Sequence, residues 1–110
     1  MDITTRPEGD HTVISCDGRL TMTTAARLRE AVDAAIAGAG PRVVVDLAAT
    51  SFVDSSGLGA LVGGLRATRT AGGDLRIAAP NAQVSSVLSL TNLDQVLTPH
   101  PSVEAAAHGW

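Results

Sequence analysis

Two adjacent serines, Ser55 and Ser56, follow Asp54 in the segment SFVDSSGLGALVGG, and their types and spacing suggest chemistry. A serine pair in this setting can be a nucleophile, part of a phosphate-binding loop, a helix cap, or a site that another protein modifies. A P-loop requires a lysine after its last glycine, and the chain has no lysine. The sequence therefore excludes a P-loop and leaves the other three interpretations.

Nucleophilic catalysis is the least favoured of the three. An α/β-hydrolase serine lies in a G-x-S-x-G motif and needs a histidine base, whereas the motif here is D-S-S-G and the three histidines have no diagnostic spacing from it. Asp46 and Asp54 have no evident third ligand that would complete a metal site. We therefore predict no catalytic residue, no metal and no cofactor, with a small serine hydrolase as an alternative.

The cap interpretation assigns different roles to the two serines. If Ser55 caps the helix that follows, its hydroxyl accepts a hydrogen bond from a first-turn N–H, and Ser56 takes the first helical position. At about 100° per residue, Ser56 then points away from the apolar stripe that begins at Leu58. Asp54 is an alternative cap, or a group that orients the serine hydroxyl. The wheel thus predicts that Ser56 is free and faces solvent.

Small residues lie beside Ser56 on the same outward face, at Ala60, Gly63 and Gly64. Each glycine inside a helix costs about 1 kcal/mol relative to alanine, which suggests that something approaches this face closely. The approaching group is either a partner protein or another element of the same chain. Gly57 would in addition permit close approach of a partner's backbone to the serines.

Charge and composition exclude several classes of partner. The eight arginines are scattered and the formal net charge is −3, so we expect no nucleic-acid groove, which needs clustered positive charge. The sequence has neither a signal peptide nor an apolar span of about 18 residues, and we expect a cytoplasmic monomer without membrane contact. Cys16 has no second cysteine to pair with and is expected to be a small buried hydrophobe.

Hydrophobic periodicity predicts one α/β domain over residues 1–110, in which a mixed sheet carries about four helices. An initial hairpin ends at Asp17-Gly18, and Thr23 or Thr24 caps the first helix. The predicted strands cover residues 2–6, 11–16, 42–47, 74–79 and 95–98, and a predicted loop over 48–54 leads to the serine helix.

Three segments, RVVVDLAATSFVDSSGLGALV, AGGDLRIAAP and VLSLTNLDQVL, resemble the STAS-domain anti-sigma factor antagonists. In that family the second serine of the motif, here Ser56, is phosphorylated by the partner, an anti-sigma factor that is also a serine protein kinase using ATP. The resemblance implies partner switching: the unphosphorylated domain binds the anti-sigma factor, phosphorylation ends the binding, and a serine phosphatase restores it.

The stretch GRLTMTTA departs from the family pattern, which commonly has an acidic residue where Thr21 stands. An alternative to the switch is therefore a STAS module that is never phosphorylated and acts as a scaffold or nucleotide-sensing subunit. The predicted partner-binding surface comprises Thr21, Asp54, Ser55, Ser56, Gly57, Ala60, Gly63 and Gly64.

Overall fold

The computed structural model describes residues 2–110, and within them the chain forms six strands and four helices of one α/β domain. The strands are β1 (Asp2–Glu8), β2 (His11–Leu20), β3 (Arg42–Asp46), β4 (Thr50–Val53), β5 (Asp74–Ala78) and β6 (Pro99–His100). The helices are α1 (Met22–Ala37), α2 (Ser55–Thr70), α3 (Ala82–Leu90) and α4 (Val103–Ala106), with a 3₁₀ turn at Leu93–Gln95. The predicted fold class is confirmed.

The strands form one mixed sheet in the order β1-β2-β3-β5-β6. β1 and β2 are an antiparallel hairpin, whereas β2, β3, β5 and β6 run parallel. β4 lies outside this row and pairs in parallel with the last residues of β2. Because the parallel strands point the same way, the helices α1, α2 and α3 all begin at one edge of the sheet.

The sheet buries side chains on both faces, as expected for parallel strands connected by helices. The larger core lies between the sheet and α1, α2 and α3, and its fully buried members include Ile14, Val43, Val45, Ile77, Leu28, Val32, Leu61 and Leu88. The alternate strand residues Val13, Val44 and Ala78 form a second, smaller core with Ala106 of α4. The run of three valines in β3 is thus shared between two cores.

Strand β2 is longer than the sequence predicts. The expected break at Asp17-Gly18 does not occur, and the strand continues to Leu20. Gly18 adopts a φ of 110°, and the pairing with β4 shifts register between Gly18 and Arg19. The glycine therefore accommodates an irregularity in the strand, and β2 carries the chain directly to the start of α1.

Three other predicted boundaries were wrong. Thr21, rather than Thr23 or Thr24, is the N-cap residue of α1. The predicted loop over 48–54 contains β4, and the predicted strand over 95–98 is replaced by the end of the 3₁₀ turn, with β6 after it. The two missed strands are four and two residues long, too short for a periodic signal, and long-range pairing determines them.

Candidate functional site

The first turns of α1 and α2 lie side by side because the strands that precede them are paired. Leu20 at the end of β2 is opposite Val53 at the end of β4. The Asp54 N–H donates to the Leu20 carbonyl oxygen at 3.3 Å. Thr21 and Asp54, the residues that follow these strand ends, are therefore brought together, as a common partner-binding surface requires.

Asp54 is the N-cap of α2, and the prediction that Ser55 takes this role was wrong. The Asp54 carboxylate accepts the Gly57 N–H at 2.9 Å, and the Asp54 carbonyl accepts the Leu58 N–H at 3.0 Å. A carboxylate at this position also interacts favourably with the helix dipole. Ser55 is consequently the first residue of the helix and Ser56 the second.

Neither serine hydroxyl has a hydrogen-bond partner within residues 2–110. The first-turn N–H that a serine cap would accept is bound by the Asp54 carboxylate instead. Ser55 is exposed, whereas Ser56 is half-buried rather than fully turned to solvent as the wheel predicts. Both hydroxyls are therefore free of structural work, and the geometry by itself does not single out one of them.

Gly57 is buried and close to its own chain, which corrects the idea that its small size serves a partner. A methyl group on Gly57 would overlap the Leu20 carbonyl oxygen and lie 2.7 Å from Cγ2 of Val53. The absence of a side chain is thus what allows the first turn of α2 to sit on the ends of β2 and β4. Gly57 therefore positions the serines.

The small-residue face of α2 is mostly covered by the chain itself, so the prediction that it faces outward was wrong for two of its three residues, Ala60 and Gly64. Ala60 is 4% exposed, and a methyl group on Gly64 would lie 2.9 Å from Cδ1 of Leu75. The remaining residue, Gly63, is half-buried beneath the Arg29 guanidinium of α1. Close packing of α2 against α1 and β5 explains the two glycines.

Gly59 is the small residue that lies open beside the serines, and the sequence reasoning missed it. It is exposed, with no atom within 4 Å of where a methyl group would stand. Its spacing of four residues from Ser55 and three from Ser56 places it on the same side of the helix. The motif SSGLG contains this glycine close to both serines. It was missed because the helical wheel took only the stripe of large apolar residues as buried, although the side of α2 that faces α1 is buried as well.

The Thr21 side of the surface combines a polar cap with an exposed apolar residue. The Thr21 N–H donates to Oγ1 of Thr24 at 2.9 Å, and the same hydroxyl donates to the Arg19 carbonyl at 3.0 Å. Thr21 is half-buried, whereas Met22 beside it is 74% exposed. Met22 therefore adds exposed apolar surface that the sequence reasoning did not include.

Two side chains of α3 hold β4 in place ahead of the serines, and both were missed. The Gln83 side-chain amide accepts the Val53 N–H at 3.0 Å and donates to the Val53 carbonyl at 3.2 Å. Asn81 caps α3 through the Val84 N–H at 2.9 Å and donates to the carbonyls of Thr50 and Ser51. The two amides take the place of a neighbouring strand along β4.

The groups that would support other chemistry lie elsewhere. His11 begins β2, at the opposite end from the serines, and its Nδ1 is 2.9 Å from the Asp10 carboxylate. Across residues 2–110 no group of three or more histidine, cysteine or acidic side chains is placed to hold a metal. No helix in this part of the chain is long and apolar enough to cross a bilayer.

The chain matches one protein-family profile over nearly its whole length. The family profile described as the STAS domain matches residues 2–106. A Thermotoga maritima protein assigned as an anti-sigma factor antagonist is 32% identical over 65 residues, which cover 59% of this chain and 58% of that protein. The match to that relative thus spans little more than half of its length.

Two solved structures share the architecture. An anti-sigma factor antagonist from Mycobacterium paratuberculosis superposes with a TM-score of 0.84 and 27% identity, over 96% of this chain and 89% of that one. The phosphorylated form of the Bacillus cell fate determinant SpoIIAA superposes with a TM-score of 0.73 and 23% identity, over 94% of this chain and 96% of that one. This is a likeness of fold. The resemblance found in the sequence is confirmed, and the chain belongs to the STAS domain family.

Proposed function

We propose that this chain is a cytoplasmic anti-sigma factor antagonist, regulatory rather than enzymatic, which binds a kinase-type anti-sigma factor and is released when that factor phosphorylates Ser56. A serine phosphatase reverses the modification. The relatives named as anti-sigma factor antagonists support the class of partner. The resemblance of the DSSG motif to the family supports the choice of Ser56 over Ser55.

The observation that carries the proposal is the free state of the hydroxyl at the start of α2. Ser56 is the second residue of α2, and the first turn of α2 lies beside the start of α1, where Thr21 and the exposed Met22 stand. Because the Asp54 carboxylate caps α2, Ser56 has no capping role. Modification of a phosphoacceptor hydroxyl must not break a hydrogen bond that stabilises the fold. Ser56 meets that condition.

The fold is expected to tolerate the phosphate. A phosphoserine carries about −1.5 to −2 charges at neutral pH, and the first-turn N–H groups of a helix have no intrahelical partners. Negative charge at this position is favourable by about 0.3–1 kcal/mol, which opposes part of the repulsion from the neighbouring Asp54. The SpoIIAA structure is an example of this fold in a phosphorylated form.

A bound partner responds much more strongly to the same group. One like-charge contact at about 4 Å costs roughly 4 kcal/mol at an effective dielectric constant near 20, which is on the order of a thousandfold in affinity. Phosphorylation of an interface serine therefore ends binding while leaving the domain folded. Partner switching needs this combination.

The test is incubation of the chain with ATP and with each kinase-type anti-sigma factor of the same genome, followed by intact-mass measurement and site mapping. We expect one phosphate on Ser56 in the wild type and in Ser55→Ala, and none in Ser56→Ala. Ser55→Ala is the matched control, because neither hydroxyl caps the helix. A phosphate found on Ser55 instead would contradict the assignment.

Binding measurements separate the switch from its alternatives. The switch predicts that Ser56→Asp loses affinity for the anti-sigma factor whereas Ser56→Ala keeps it. Equal binding by both variants indicates an unphosphorylated scaffold or nucleotide-sensing module, and Thr21→Asp then tests whether the missing acid prevents phosphorylation. Hydrolysis of an activated ester that is lost in Ser56→Ala would indicate a serine hydrolase.

A further inference from the structure

Two arginines stand apart from the other six in this protein. Within residues 2–110, Arg29 and Arg66 have no ion pair, hydrogen bond or aromatic ring to hold their guanidinium groups. The other arginines have such partners: Arg6 pairs with Glu8, Arg42 with Asp10, Arg69 and Arg76 with Asp74, Arg19 lies over Phe52, and Arg27 also has one.

Both unpaired arginines line one groove between α1 and α2, with a volume of about 630 Å³. Arg29 enters it from α1, and Arg66 enters it from α2. Ile36, Gly63 and Ala67 contribute apolar surface between them. Asp33 also lines the groove but makes no ion pair with either arginine. The groove therefore combines an apolar lining with two arginines that make no ion pair within the described residues, and its net charge is positive.

Gly63 makes room for one of these charges. A methyl group at Gly63 would meet the Arg29 guanidinium, with Cζ only 2.8 Å away. The glycine thus lets the Arg29 head group lie across α2, one turn before Arg66. A glycine inside a helix costs stability, and the room that Gly63 gives to the Arg29 cation explains why one stands here.

The groove continues the serine surface along α2. Ser55, Gly59 and Arg66 are exposed, and eleven residues of helix return to the same side within about 20°. Arg66 is therefore on the serine side of α2, about 16 Å further along its axis. A segment of a partner that reaches from the serines along α2 meets both guanidinium groups.

We propose that this groove binds an acidic, amphipathic segment of the anti-sigma factor, with carboxylates on Arg29 and Arg66 and apolar side chains over Ile36 and Ala67. The inference rests on the proposed function and adds the chemistry of the partner. The groove is open and Arg29, Arg66 and Asp33 are exposed, which suits a protein segment better than an enclosed small molecule. A phosphate on Ser56 adds negative charge to the same face and opposes the acidic segment.

The first experiment uses the anti-sigma factor that the phosphorylation test identifies and measures its affinity for the full chain. Arg29→Gln and Arg66→Gln are each expected to weaken binding about tenfold, with a smaller difference at high salt because the charges are then screened. Arg69→Gln is the matched control, since Arg69 lies on the same helix but pairs with Asp74 outside the groove. It is expected to bind within about twofold of wild type.

The results distinguish the groove from the switch. If Ser56→Asp loses binding while both groove variants bind like Arg69→Gln, the groove proposal is overturned and the proposed function stands. If no anti-sigma factor binds, the groove is tested with a short amphipathic peptide that carries glutamates on one face and leucines on the other. Amide shifts at Gly63 and Ala67 that disappear in the Arg29→Gln, Arg66→Gln double variant support the groove, and their absence in the wild type overturns it.

Discussion

At the scale of single residues, the Cys16 thiol ties stability to pH. It is 1% exposed, and burial, followed by the Asp46 carboxylate, raises its pKa from 9.0 to about 12. The folded state binds the thiol proton more tightly than the unfolded state does. The contribution of Cys16 to the free energy of unfolding is therefore complete below pH 9 and is lost progressively between pH 9 and 12. The free energy of unfolding of wild type relative to Cys16→Ala should fall by about 1.4 kcal/mol for each pH unit above 9. Urea unfolding at several pH values measures this difference, and a constant difference would contradict it.

Two glycines of the DSSGLG motif have opposite roles and make a second prediction at this scale. Gly57→Ala forces a methyl group against the Leu20 carbonyl and should lower the free energy of unfolding by about 1–3 kcal/mol. Gly59→Ala adds a methyl group in open space and should raise it by up to about 1 kcal/mol. Urea midpoints of the two variants provide the check. Equal effects would mean that the first turn of α2 is not seated on β2.

The residues of the serine site were predictable from the sequence by type but not by orientation. The motif placed the start of α2 at Asp54, Ser55 and Ser56, as the structure does, because helix starts have a local signature. It left the choice of cap open between Ser55 and Asp54. It also did not show that Ala60 would be buried, because a helical wheel uses hydropathy and small residues carry little of it. Contact between two helices is a long-range property.

At the scale of elements, β4 depends on α3 for its order. Gln83 satisfies both backbone groups of Val53, so Gln83→Ala leaves a donor and an acceptor without partners and should cost about 1–3 kcal/mol. The expected signature is local: the Val53 amide exchanges with solvent at least about tenfold faster. Gln83→Glu is the control, since a carboxylate still accepts the Val53 N–H but no longer donates. Exchange unchanged in Gln83→Ala would show that pairing with β2 and the Asn81 hydrogen bonds hold β4 without Gln83.

Helices α1, α2 and α3 were predictable because each displays a helical period, β2 because its residues alternate between polar and apolar, and β3 because it is a continuous apolar run. β4 and the end of β2 were not, because they exist through their pairing with each other. This is where the site depends on the fold. The pairing that the sequence hides is what places Thr21 beside Asp54.

At the scale of the whole molecule, the second face of the sheet is covered by a short C-terminal segment that one side chain holds. The Arg76 guanidinium donates to the carbonyls of Ala106 and Gly109 at 2.9 Å and to that of His108, and it lies 4.1 Å from the centre of the Trp110 ring. A helix of four residues has little stability of its own. Arg76 therefore joins α4 to β5 and completes the smaller core.

Arg76→Met keeps an apolar stem against Trp110 but removes every hydrogen bond to the C-terminal carbonyls. We expect the free energy of unfolding to fall by about 2 kcal/mol and residues 103–110 to detach more often from the sheet. Trp110 is the one tryptophan of the chain, so a red shift of its emission and easier quenching report the detachment directly. Arg69→Met is the matched control, because Arg69 shares the Asp74 carboxylate but makes none of the carbonyl contacts. The same red shift in both variants would mean that the Asp74 ion pair, rather than the carbonyl contacts, holds α4 on the second face, whereas a shift in Arg76→Met alone assigns that role to the guanidinium.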